Sequence, residues 1–94
     1  MASIKNLKKY IKTITEDLKD ECLVSLALHP ETEPAGIAAV IREIDAIGSE
    51  LVFRINHCRY KPSESSARHF INNSVADAEK KMGLLLEKMR DMVK

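Results

Sequence analysis

Apolar residues return every three or four positions along nearly the whole chain, and proline-bearing breaks divide the returns into three blocks. In the middle block Ile37, Val40, Ile41, Ile44, Ile47, Leu51, Ile55 and Cys58 keep to this spacing, which sets them along one side of a helix. The first block repeats the pattern with Ile4, Leu7, Ile11, Ile14, Leu18 and Cys22, and the last with Ile71, Val75, Ala78, Met82, Leu85, Met89 and Val93. Each block therefore reads as one amphipathic helix.

The breaks have physical causes. Pro30 cannot continue a helix and pushes His29 away from helical geometry, so the first helix stops near Leu28. Pro34 suits the first turn of the second helix, where a missing N–H costs nothing, with Thr32 or Glu33 before it as the cap. Arg59, Tyr60, Lys61 and Pro62 form the second junction, while Ser3 and Ser63 are candidate caps for the outer helices. The expected helices cover about 3–28, 34–58 and 63–93 and are each roughly 40 Å long at about 1.5 Å per residue.

Short connections between long helices favour antiparallel neighbours, so the fold class is all-α: an antiparallel up-down-up three-helix bundle. The competing arrangement is a helical core completed only by dimerisation. Gly48 lies within the apolar side of the second helix, which points to a close approach by a neighbouring helix rather than to a break.

At 94 residues, 45% hydrophobic and 31% charged, the chain suits one helical-bundle domain spanning 1–94. Its N-terminus carries lysines where a signal peptide needs an apolar run, and no stretch approaches the roughly 20 apolar residues of a membrane span. The expected location is the cytoplasm, with no membrane partner. Cys22 and Cys58 are then reduced thiols, and their separation along the bundle excludes a disulfide within one chain.

Two surfaces stand out under this bundle model. On the second helix Ala35, Ala39, Arg42, Ala46, Ser49 and Phe53 lie almost opposite the Ile37 to Ile55 side, and Leu23, Val24 and Leu84 also fall off the core faces. Small residues ending in a phenylalanine suit close helix contact, so self-association through the second helix is the first functional expectation.

The second surface is the end where the first and third helices begin and the second finishes. It gathers Lys5, Lys8, Lys9, Lys12, Arg54, Arg59, Lys61 and Arg68 against Glu50 and Glu64, a local balance of +6, which leaves −5 for the rest of a chain whose net charge is +1. Tyr10, Phe53, Tyr60 and Phe70 belong to the same half. Cations interleaved with aromatic rings are what a single-stranded nucleic acid or another polyanion uses, and binding of such an anion is the alternative function.

Chemistry has little support. His57, Cys58 and His69 lie toward one end, but neighbouring helical residues point about 100° apart and a structural zinc site wants four convergent ligands. Glu16, Asp17, Asp20 and Glu21 have no Glu-x-x-His companion, and nucleotide-binding loops and nucleophile elbows are absent. The chain is expected to be a non-catalytic interaction or assembly module, without cofactor, metal or small-molecule substrate. Its expected partner is another copy of itself or another helical protein.

Overall fold

A computed structural model describes residues 4–58 and 64–93 and shows three helices: α1 (Ile4–Leu28), α2 (Pro34–Asn56) and α3 (Ser65–Met92). There is no strand among the described residues. The helices form a rod of 51 × 18 × 17 Å, a cross-section nearly equal in both directions, as a triangular bundle requires. α2 packs along both neighbours, whereas α1 and α3 approach each other at few positions. The bundle therefore hangs on its middle helix.

Pro34 opens α2 within the first turn, behind Glu33, whose extended backbone (φ −63°, ψ 113°) supplies the cap position without a side-chain hydrogen bond. At the other end α2 stops at Asn56, two residues before Cys58, because His57 leaves helical geometry at φ −109°, ψ 23°. α3 begins behind Glu64 rather than Ser63; Ser3 and Ser63 lie outside the described residues.

Two contacts fix the α1–α2 register. Lys19 Nζ stands 2.8 Å from Asp45 Oδ1, and a methyl group placed on Gly48 would stand 2.8 Å from Thr15 Oγ1. No side chain larger than hydrogen fits between the two helices at that level without movement, which is the close approach the glycine implied. Between α2 and α3 the corresponding contact is Gly36 against Met92, whose Sδ would lie 3.2 Å from a methyl on the glycine.

The core is uneven along the rod. Toward the α1 C-terminus Cys22, Ile37, Val40, Ile44 and Met89 are fully enclosed, with Leu18, Leu26, Leu85 and Leu86 against them. Toward the α1 N-terminus the buried cluster is Ile11, Leu51, Ile55 and Ala78. There α3 presents small buried residues, Ala67, Ser74 and Ala78, so less apolar bulk holds that half. Tyr10 and Phe53 do not fill the gap: they remain 49% and 60% exposed.

Candidate interaction surface

The inner side of α2 is occupied by the core, and its outer side carries a second seam. Ala35, Ala39, Arg42, Ala46, Ser49 and Phe53 follow one another at spacings of four, three, four, three and four, an average of 3.6 residues. That is the ordinary helical period, so the six lie in one straight stripe opposite the core side of α2. Ala35, Arg42, Ala46, Ser49 and Phe53 are exposed and Ala39 is half-buried, so α1 and α3 leave the seam uncovered.

Phe53 is organised rather than loose. Its ring stacks on His57 with centroids 4.0 Å apart and planes inclined by 23°. His57 Nδ1 lies 2.9 Å from the Phe53 carbonyl oxygen, so an imidazole carrying its proton on Nδ1 donates to the last turn of α2. One face of the phenyl ring is thus backed by imidazole while the ring stays mostly open to water. The i, i+4 spacing of Phe53 and His57 was visible in the sequence, but its consequence was not, because His57 stands just past the helix end.

Leu84, 58% exposed on α3, lines the α2–α3 groove with Glu43, Ile47, Lys81, Leu85 and Lys88, none of which belongs to the seam. Leu23 and Val24 lie on α1, 54% and 56% exposed, with Leu28 at 71%. Near its C-terminus α1 is apolar nearly all round, from Cys22 to Leu28 with Ser25 the only polar residue. That loss of polar positions is the signal that could have singled out Leu28. The apolar positions expected on one contact surface thus separate into the α2 seam, Leu84 in the α2–α3 groove, and Leu23 with Val24 on α1.

The basic end is likewise divided. Lys12 lines the α1–α2 groove beside Thr15, Asp45 and Gly48, whereas Tyr10 lines the α1–α3 cleft beside Ile14, Glu79 and Met82. Arg54 is tied to Glu50, Nη2 donating to Oε1 at 2.8 Å. Lys8, Lys9, Lys12 and Arg68 make no ion pair among the described residues, and Phe70 is half-buried. Arg59, Tyr60, Lys61 and the side chain of Lys5 lie outside the described residues. A shared end of the bundle is therefore not a shared face.

Elsewhere the titratable groups serve the fold. The hydrogen bond from Lys19 to Asp45, opposed by desolvation, holds the Lys19 ammonium above its ordinary pKa. Burial, reinforced by the nearby Glu21 carboxylate, pushes the Cys22 thiol up. Arg90 Nη2 donates to Glu21 Oε1 at 3.2 Å, tying α3 to α1. Cys22 is a buried free thiol, and Cys58 is half-buried. Among the described residues no three His, Cys, Asp or Glu side chains converge on a metal position, and no helix is long and apolar enough to cross a membrane.

Set against protein-family models, curated protein sequences and solved structures, the chain matches none of them.

Proposed function

We propose that this protein is an interaction module that works by contact rather than catalysis, and that it associates with itself through the outer face of α2. The observation that supports the reading is an exposed stripe of small residues ending in Phe53, from Ala35 to Phe53, on a helix whose other side already holds the core. A phenylalanine side chain buries about 150–250 Å² when covered. At 60% exposure Phe53 still offers roughly 100 Å² of that, or about 2.5 kcal/mol of burial to a partner. Small neighbours on the same seam let another backbone come close enough to collect it.

Sedimentation equilibrium up to high micromolar concentration tests the proposal. The expected result is a dimer whose population grows with concentration and survives added salt, since apolar helix contact is little screened. A monomer at every concentration overturns it.

A second reading, binding of a polyanion, rests on Lys8, Lys9 and Lys12, exposed or half-buried in the early turns of α1 and without ion pairs among the described residues. Cations near a helix N-terminus oppose its dipole, so helix stability does not account for them. Association with single-stranded nucleic acid that falls steeply with salt supports this second reading.

A further inference from the structure

We infer that the outer face of α1 is a further contact surface, fitted to an antiparallel copy of the same helix, and that charge rather than apolar burial selects this partner. The contact is separate from the α2 face proposed above and does not depend on it. Along the outer side of α1 the charges are segregated, with cations up to Lys12 and acids from Glu16 to Glu21. Lys19, the one cation of α1 beyond Lys12, turns instead toward α2, 2.8 Å from Asp45 Oδ1.

This segregation works against the helix itself. Lys8 and Lys12, Glu16 and Asp20, and Asp17 and Glu21 each set like charges four residues apart, where they repel. The cations also stand toward the positive end of the helix dipole. Lys9, Lys12, Asp17 and Asp20 are exposed and make no ion pair among the described residues. Glu16 reaches only Lys19, at 4.0 Å, and its side chain stays 55% exposed.

Helical geometry brings these open charges onto one stripe. At about 100° per residue Lys9, Glu16 and Asp20 fall within about 40° of one another, almost opposite the buried Ile11 and Cys22, with Lys12 at the edge on the Glu16 side. A two-fold axis across the stripe, level with the step from Ile14 to Thr15, sets Lys9 opposite Asp20 of the second copy. It also brings Lys12 almost level with Glu16 of the second copy. Such an axis keeps each residue on its own edge of the contact, so Lys12 and Glu16, which share an edge, meet, and symmetry repeats both pairs. A parallel copy would stack Lys9 on Lys9 and Asp20 on Asp20. Leu23, 54% exposed at the end of the stripe, comes within about one turn of Lys9 of the second copy and covers its methylene stem.

The other helices offer no such complement. On α2 and α3 opposite charges are neighbours, as in Arg42 and Glu43 or Glu87 and Lys88, so neither presents a matching block of one sign. The net charge of the chain is +1, so two copies approach with little overall repulsion and the local pattern decides the encounter.

Ionic strength and charge exchange test the contact together. Sedimentation equilibrium should show stronger association at about 0.01 M salt than at about 1 M, as the screening length drops from about 30 Å to about 3 Å. At low salt Lys9→Asp or Asp20→Lys each loses both copies of one ion pair and gains like-charge contacts, so each should weaken the added association roughly tenfold. The two changes together restore the pair in reverse order and should return it to within about threefold of the starting chain. Both positions are exposed, so the core is untouched. Association that is the same at both salt concentrations, or a double exchange no stronger than the singles, overturns the α1 contact. Association that persists at high salt belongs to the α2 face; its absence there removes that proposal and leaves this one standing.

Discussion

Replacing Gly48 with alanine should destabilise this protein, although the same change in an exposed helix stabilises one. Alanine is favoured over glycine inside a helix by about 1 kcal/mol. Against this gain, the new methyl would stand 2.8 Å from Thr15 Oγ1 and 3.5 Å from its Cγ2. Thr15 is β-branched, and its hydroxyl already donates to the Ile11 carbonyl oxygen at 2.8 Å, so it has little freedom to turn away. Overpacking of this kind costs about 1–3 kcal/mol, and a rotation that gives up the hydrogen bond costs about 0.5–1.5 kcal/mol. The net expectation is a loss of about 1 kcal/mol.

Gly83 supplies the control. No atom lies within 4 Å of a methyl placed there, so Gly83→Ala should gain close to the full 1 kcal/mol. For a domain of this size each kcal/mol moves the thermal midpoint by about 4–8 °C. Circular dichroism melts of the two variants should therefore move in opposite directions. Adding Thr15→Ala to Gly48→Ala should recover the loss, with a coupling of about 1 kcal/mol in the double-mutant cycle. If Gly48→Ala raises the midpoint as much as Gly83→Ala, α1 does not approach α2 at Thr15 and the packing argument fails.

Further expectations follow from the uneven core and its charged rim. Met89→Ala, in the fully enclosed cluster, should cost about 2–5 kcal/mol by urea unfolding, whereas Ala78→Gly in the thinner half should cost about 1 kcal/mol, mostly through helix propensity. Arg90→Ala breaks an ion pair whose side chains are 59% and 43% exposed, so urea unfolding should register less than about 1 kcal/mol. Cys22 should resist a thiol reagent in the native state while Cys58 reacts first, a difference that mass spectrometry reads directly.

The same buried thiol makes stability depend on alkaline pH. Since burial raises its folded pKa above that of an ordinary thiol, the unfolded chain loses its proton first. This contribution is intact below the ordinary thiol pKa and declines as pH rises from there toward the folded value. Cys22→Ala should lack that part of the slope in pH-dependent melts.

Much of the fold was legible because proline and apolar spacing leave few alternatives. Pro30 and Pro34 bracket the first turn, and the side from Ile37 to Ile55 is the buried side of α2. Gly48 declared a helix contact, though not that Thr15 makes it. Small residues hid the rest: a search for large apolar side chains passes over Ala67 and Ser74, yet both are buried on α3.

The candidate surfaces were legible by level but not by direction. Tyr10 and Lys12 are only two residues apart, yet on a helix that step turns them to opposite edges of α1, one facing the α3 cleft and the other the α2 groove. Leu23 and Leu84 share exposure without sharing a face for the same reason. The direction of the α2 residues followed from spacing alone, because they all lie on one helix. The exact end of α2 did not, since the final turn depends on the geometry His57 adopts rather than on periodicity.

Amide chemical shifts followed from low to high protein concentration at about 1 M salt, where the α1 charges are screened, put the α2 contact to the most direct trial. Concentration-dependent changes should concentrate at Ala35, Ala39, Arg42, Ala46, Ser49 and Phe53, and leave Lys8, Lys9 and Val24 still. Spectra that do not change with concentration, or changes centred on α1 with the α2 seam silent, would contradict a protein that works by pairing through its middle helix.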